Sequence, residues 1–258
     1  MNSSSVCIVC SDQARIDQAH ELAKWIGSPV LDEKSDDYAL QLCYEPDRVT
    51  LFDTMLKTCI FVDFVSGALA HRRQFGGGRG QAIAKAVGLK HGRRPSVLDI
   101  TAGLCRDAYV LASLGCKLYL VEQSPVVYTL IEDGIRRGQG DAACADILKN
   151  FISWINADAI EHMRTINSNS RPDVIYIDPM YPDRKKSALV KKDMQILQRL
   201  LPKDQHDDQL LMAALDCATE RVVVKRPLHA PTLGNIPADT HTSSKKTRFD
   251  AYLVKNRR

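Results

Sequence analysis

The sequence predicts an α/β protein built on a mostly parallel, doubly wound sheet, with a small α+β segment in front of it. Two observations carry this expectation. From Pro95 onward, short apolar runs alternate with stretches of helical periodicity, the rhythm of consecutive βαβ units. At 258 residues the chain also sits where one hydrophobic core stops growing and a second small unit is favoured. No internal repeat or low-complexity tract competes with this reading.

The N-terminal part reads as a strand over Val6–Cys10, a helix over Ala14–Trp25, and short strands over Ala39–Tyr44, Val49–Phe52 and Ile60–Phe64. Gly76-Gly77-Gly78-Arg79-Gly80 is a flexible basic loop, followed by a helix over Gln81–Val87. Strand Val97–Thr101, helix Asp107–Leu114, strand Lys117–Glu122 and helix Pro125–Arg136 then follow in order, the last with proline at its start. Further strands are expected over Phe151–Ile155, Asp173–Asp178, Arg221–Arg226 and Phe249–Val254, with a helix over Ser187–Leu201. The expected organisation is a small α+β domain over 1–64, a basic Gly-rich loop and connecting helix over 65–94, and the main sheet domain over 95–258.

Composition removes several classes. With 45% hydrophobic and 26% charged residues the chain has ordinary globular composition. It has no apolar run near the roughly 18–20 residues of a membrane-spanning helix. Met1–Cys10 carries no Lys or Arg, and its apolar stretch is too short for a signal peptide, so a cytoplasmic location is expected. Eight cysteines without an export signal read as reduced, mostly buried thiols. Cys7 and Cys10 form a lone CxxC with no second pair, so no metal is expected.

Charge is clustered. Between Phe64 and Leu98 stand seven basic residues (Arg72, Arg73, Arg79, Lys85, Lys90, Arg93, Arg94) and no acid. Arg184-Lys185-Lys186 with Lys191-Lys192 forms a second group, and Lys245–Arg258 adds six more against the single Asp250. Three such clusters point to a phosphate-rich partner.

A doubly wound sheet binds ligands beyond the carboxyl ends of its strands. The first of these ends runs Asp99-Ile100-Thr101-Ala102-Gly103-Leu104-Cys105-Arg106-Asp107, a glycine turn into a helix that lets backbone approach a nucleotide-like ligand. Glu122 closes the next strand 19 positions after Gly103, a spacing suited to a carboxylate on ribose hydroxyls, and Asp158 follows a third strand. Each acid alone reads more readily as a helix cap or a surface charge, whereas three at successive strand ends favour a site. The segment Asp173–Pro182, DVIYIDPMYP, delivers Asp178-Pro179-Met180-Tyr181 after an apolar strand. It is similar to the (Asp/Asn)-Pro-Pro-(Tyr/Phe) motif of methyltransferases acting on planar exocyclic amines, with Met180 in place of the second proline. The lone pair of such an amine is delocalised into the ring. Acceptors for its N–H bonds favour pyramidal nitrogen and stabilise the positive charge that develops during attack.

The blocks VDF (62–64), AHRRQFGGGRGQAIAKAVG (70–88), DITAGLCRDAYVLASLGC (99–116), DPMYPDRKKSALVKK (178–192) and RVVVKRP (221–227) resemble, in order, those of the RsmJ family of bacterial ribosomal RNA methyltransferases. That resemblance implies a Rossmann-like class I methyltransferase sheet. It also implies transfer of methyl from S-adenosylmethionine to N2 of a guanine near the 3′ end of 16S ribosomal RNA, on the RNA or the small subunit. Carried over by position, the cofactor contacts fall on Arg106, Asp107, Glu122, Gln123, Asp158, Ala159 and Asp178, beside Asp99 and Gly103 of the glycine turn. Asp178, Pro179 and Tyr181 are the expected catalytic group. His71, Arg72, Arg73, Arg79, Lys185, Lys186, Lys191 and Lys192 are the expected RNA contacts, and Asp63 is a weaker site candidate. Cys105 stands where the family has a second glycine, Gln123 where a basic residue is common, and Asp158-Ala159 where small hydroxyl residues are common. The residues also admit a non-catalytic RNA-binding assembly factor, or an amine methyltransferase acting on another nucleic acid. A nicotinamide oxidoreductase is disfavoured by the missing GxGxxG.

Overall fold

Apolar runs ended by Gly, Pro or Asp become strands, and the computed structural model describes residues 6–75, 78–90, 92–180, 192–201 and 207–256, with backbone alone at 68, 73–75, 207 and 256. In chain order, β1 (Val6–Cys10) leads to α1 (Ile16–Ile26), which buries Ala19, Leu22 and Ala23 and is turned off by Gly27 at φ +67°. β2 (Val30–Leu31), β3 (Leu40–Tyr44), β4 (Val49–Asp53) and β5 (Thr58–Ile60) follow. The extended stretch expected over Ile60–Phe64 stops at Ile60. Asp63 accepts the backbone N–H groups of Val65 (2.9 Å) and Ser66 (3.1 Å) and the Ser66 hydroxyl (2.5 Å), turning the chain into α2 (Gly67–Phe75). That helix is absent from the sequence expectation, in which only a basic run was visible.

Then come α3 (Ala82–Ala86), β6 (Val97–Asp99), α4 (Arg106–Ser113), β7 (Leu118–Glu122), α5 (Pro125–Gln139), α6 (Ala145–Phe151), β8 (Ile152–Asn156), α7 (Ala159–Thr165) and β9 (Val174–Ile177). The chain continues through α8 (Lys192–Leu200), α9 (Asp207–Cys217), β10 (Arg221–Pro227), β11 (Thr240–Ser243) and β12 (Thr247–Leu253). The helix expected from Ser187 is described from Lys192 onward, residues 187–191 lying outside the described residues.

The chain divides into two compact units, residues 1–62, 124–137 and 182–203 in one and 63–123, 138–181 and 204–258 in the other. In the first, a five-stranded sheet runs β2-β1-β3-β4-β5, with β1 parallel to β2 and β3 and the other pairs antiparallel. Two acids without exposed side chains hold its helices. Asp133 of α5 accepts from Arg15 (3.2 Å), Arg136 (2.7 Å) and Arg137 (2.8 Å), and Asp53 of β4 pairs with Arg199 of α8 at 2.6 Å.

In the second unit, a seven-stranded sheet runs β11-β12-β10-β9-β6-β7-β8. The five strands β10-β9-β6-β7-β8 are parallel, while β12 and β11 add antiparallel pairs at one edge. From β6 the chain builds outward through β7 and β8, then returns to place β9 on the other side of β6. The switch point, where such sheets take ligands, therefore lies between the carboxyl ends of β6 and β9. Alternation sorts the side chains of these strands. Leu98, Ile175, Ile177, Val222 and Val224 join Leu211, Ala214 and Cys217 of α9 in one core. Asp99, Tyr176, Asp178 and Lys225 fall on the opposite face by the same count, because Asp99 pairs with Tyr176 and Val224 with Ile177. The doubly wound α/β architecture expected from the sequence is the one observed.

Inside the first unit, a methyl group on Gly134 would lie 2.6 Å from Val62 Cγ1 and 3.0 Å from the Val62 carbonyl oxygen. Gly134→Ala is expected to lose about 1–3 kcal/mol of stability through overpacking against backbone. Chemical denaturation checks this, and an unchanged midpoint would contradict the close approach.

Candidate active site at the carboxyl edge of the sheet

The turn after β6 is held from three sides. Asp99 accepts the Thr101 N–H at 3.0 Å, and Thr101 Oγ1 accepts the Asp178 N–H at 2.7 Å, so the ends of β6 and β9 are tied together. Glu122, closing β7, accepts the Gly103 N–H at 3.0 Å. Gly103 takes φ +51°, and Cys105 takes φ +56°, the left-handed region that favours glycine. Cys105 precedes α4 without a side-chain cap, so backbone N–H groups of the first turn are left for other acceptors. Burial pushes its thiol well above the ordinary range, so it carries no thiolate.

At the next strand ends, the Asn156 amide donates to the carbonyls of Glu122 (2.7 Å) and Gln123 (3.2 Å), and the Gln123 amide donates to Asp158 at 3.2 Å. Asp158 is the N-cap of α7, its other oxygen accepting the Glu161 N–H at 2.9 Å. Asp158 is thus the helix cap that the sequence also allowed, with its second oxygen on Gln123. Ala159 begins α7, and Gln123 is exposed.

Charge concentrates behind Asp178. Lys225 Nζ lies 2.7 Å from Asp178 Oδ2 and 2.8 Å from Asp107 Oδ2. Asp107 Oδ1 accepts from Arg72 at 2.8 Å, and its Oδ2 also accepts the Tyr176 hydroxyl at 2.8 Å. Arg72 in turn donates to Gln81 at 3.0 Å. Burial raises the Asp107 pKa, but the charges and hydrogen bonds of Lys225 and Arg72 outweigh it and bring the group down to about 2. For Asp178, burial together with the nearby Asp107 outweighs the pull of Lys225, and its pKa lies above the usual carboxylate range. The same two carboxylates hold Lys225 as an ammonium against the effect of burial. Asp99 is pushed up to about 7 by burial, with the Thr101 N–H opposing and the charges of Asp178 and Asp107 adding to it.

The structure therefore gathers Asp99, Gly103, Asp107, Glu122, Gln123, Asp158, Asp178 and Pro179 along one edge of the sheet. Arg106 begins α4 and is exposed. Of the expected RNA contacts, His71 and Arg79 are exposed in the second unit and Lys192 in the first, while Arg72 turns to Asp107. Arg73 is described by its backbone alone, and Tyr181, Lys185, Lys186 and Lys191 lie outside the described residues. Asp63 serves the turn before α2. Lys225 went unassigned from sequence, although a lysine inside the apolar strand VVVKRP demands a buried partner. The β11–β12 turn, with exposed Lys245 and Lys246, also belongs to this edge, because Thr247 pairs with Pro227 at the end of β10. A cavity of about 500 Å³ between Ser96, Lys117, Tyr119, Ser153 and His162 lies at the opposite, amino edge and holds none of these acids. Among the described residues, no helix is long and apolar enough to cross a membrane, and no three His, Cys, Asp or Glu side chains group to hold a metal ion.

The family described as "Putative SAM-dependent methyltransferase" matches residues 27–254. A solved SAM-dependent methyltransferase from Neisseria gonorrhoeae is 35% identical, covers 95% of each chain, and superposes with a TM-score of 0.75. The chain is an S-adenosylmethionine-dependent methyltransferase. Ribosomal RNA small subunit methyltransferase J of Serratia proteamaculans is 46% identical over 96% of this chain and 99% of its own. The protein of that name from Colwellia psychrerythraea is 51% identical over 84% of this chain and 78% of its own. The chain belongs to the ribosomal RNA small subunit methyltransferase J family.

The raised pKa of Asp99 has a measurable sign. Unfolded, this carboxyl ionises near 3.8, whereas folded it keeps its proton to about pH 7. Folding therefore loses stability as pH rises between these values, and the loss is complete above about 7. Asp99→Asn removes that penalty. Its stability relative to the parent is expected to rise between pH 5 and pH 8 in chemical denaturation, and a pH-independent difference would contradict the assignment.

Proposed function

We propose that the chain transfers methyl from S-adenosylmethionine to N2 of a guanine near the 3′ end of the small-subunit ribosomal RNA, working in the cytoplasm on the RNA or the small subunit. One observation carries the amine chemistry. Asp178 stands at the switch point, directly before Pro179, with Oδ2 on Lys225 and no partner for Oδ1 among the described residues. The sequence resemblance and the relatives' names support the substrate.

The donor set fits the cofactor. Glu122 takes ribose hydroxyls while holding the glycine turn, Asp158 with Gln123 and Ala159 flanks the adenine, and Gly103 lets backbone close on the ligand. Asp99 shapes the turn from beneath, and Arg106 with the α4 N-terminus faces the amino-acid end. Bound S-adenosylmethionine supplies an electrophilic sulfonium methyl for direct in-line displacement. Asp178 accepts an N–H of the guanine amine and stabilises the positive charge growing on nitrogen. Pro179 fixes the backbone that aims the neighbouring carbonyl, and Tyr181 stacks on the base. His71, Arg79 and Lys192 grip phosphates, with Arg73, Lys185, Lys186 and Lys191 from the sequence and Lys245 and Lys246 from the β11–β12 turn. Arg72 and Asp107 serve the site from behind.

The test incubates the protein and methyl-labelled S-adenosylmethionine with small subunits from cells lacking the enzyme. Large subunits and DNA run in parallel, and the labelled nucleoside is identified by mass. N2-methylguanosine in small-subunit RNA alone is expected. Label in DNA, or on another base, would overturn the substrate assignment. Two substitutions separate the roles. Glu122→Ala is expected to weaken cofactor binding at least ~10-fold in calorimetry through loss of charge-assisted hydrogen bonds. Asp178→Ala is expected to keep binding largely in place and lower turnover by at least ~100-fold. Full activity in Asp178→Ala would sink the mechanism.

A further inference from the structure

Asp178 is held by a neighbour that is itself held. Lys225 carries three N–H donors. One goes to Asp178 Oδ2 at 2.7 Å and one to Asp107 Oδ2 at 2.8 Å. Asp107 cannot swing away, because Arg72 occupies Oδ1 and the Tyr176 hydroxyl shares Oδ2, each at 2.8 Å. The Arg72 side chain is fixed by Gln81 at 3.0 Å. The chain of contacts runs from α2 through α4 to β10 and ends on one oxygen of Asp178. The other oxygen has no partner among the described residues, on a side chain that is 39% exposed. A carboxylate tied by one oxygen, with no described residue on the other, is an oriented acceptor.

We propose that Lys225 is the positioning residue of the methyl-transfer site: it keeps Asp178 a carboxylate and fixes it so that Oδ1 is presented to the substrate amine. The proposal rests on the reading of Asp178 given above. A protonated Asp178 would present a hydroxyl donor where the amine also donates, so the ionised form is the useful one. Among the described residues, four titratable or charged groups face this carboxyl: Lys225 from β10, Asp107 from α4, Asp99 from β6 and Tyr176 from β9. Of these, Lys225 favours ionisation, against burial and Asp107. Removing its charge must move the ionisation of Asp178 to higher pH.

The experiment uses the full chain with the substitutions Lys225→Met, Lys225→Gln, Lys225→Arg and Asp178→Ala. Single-turnover methyl transfer to small subunits is followed from pH 5.5 to 9 at saturating S-adenosylmethionine. Cofactor binding and thermal unfolding are measured alongside. For Lys225→Met the expected result is cofactor binding within about threefold of the parent and a rate at pH 7 lowered ~10–100-fold. Its acid limb is expected to move up by about one pH unit or more, so that the deficit shrinks at high pH. Lys225→Arg keeps the charge and is expected to keep the limb of the parent. Should Lys225→Met fail to fold, Lys225→Gln, which keeps an N–H donor without charge, is expected to show the same displaced limb. An unshifted limb in the neutral variants, whether the rate falls evenly or not at all, overturns the proposal, since an ion pair that only supports the fold has no reason to move it. Asp178→Ala separates the two readings. If it is inactive while the limb is unshifted in the Lys225 variants, only the role of Lys225 fails. If it is active, the reading of Asp178 fails first.

Discussion

The carboxyl edge of the large sheet depends on the nearly buried carboxylate of Asp107. It accepts from Arg72, Tyr176 and Lys225, and so joins α2, α4, β9 and β10 at one point. Removing such a charge from water costs several kcal/mol, and the gain from its partners does no more than balance that cost in many proteins. Its value lies in geometry. Truncating any one member leaves the others buried and unmatched, so the set holds one arrangement and few alternatives. The smaller unit uses the same device without chemistry attached. Asp133 there gathers three arginines, Arg15 just before α1 and Arg136 and Arg137 of α5, and Asp53 anchors α8 through Arg199.

A second constraint is the parallel sheet itself. Because β9 returns beside β6, the glycine turn and the Asp178-Pro179 turn emerge next to each other, and Thr101 stitches them with one hydrogen bond. Glu122 sits one strand further out, with its carboxylate on the turn. The acids that were ambiguous singly acquire a common location through strand order alone. Asp158 caps α7 with one oxygen and accepts from the Gln123 amide with the other.

Much of this was legible in the residues. Apolar runs placed β1, β3, β4, β6, β7, β8, β9 and β10 within a residue or two, and the turn after β6 announced itself by its glycine. What stayed hidden depends on register between distant segments. Counting alternate residues assigns Asp178 to a face of its own strand, but only the pairing of Val224 with Ile177 brings Lys225 beside it. Arg72 sits in a run that reads as phosphate-binding, and nothing local reveals that an acid 35 positions on draws it inward. α2 was missed for a local reason, the basic residues of 67–75 masking its helical spacing. Ile60–Phe64 read as extended because four of its five residues are apolar, whereas the fifth, Asp63, forms a turn there with its side chain. In β11, four polar residues carry no apolar signal, and pairing with β12 makes them a strand.

In the function proposed above, the acids at the carboxyl edge form one site, with Glu122 on the cofactor and Asp178 toward the reacting amine. A crystal structure of the chain with bound S-adenosylhomocysteine tests this most directly. Ribose hydroxyls on Glu122, adenine beside Asp158 and the sulfur opening toward Asp178, with Lys225 still on Oδ2, is the expected result. A ligand seated elsewhere, or Asp178 turned away from the sulfur, would contradict it.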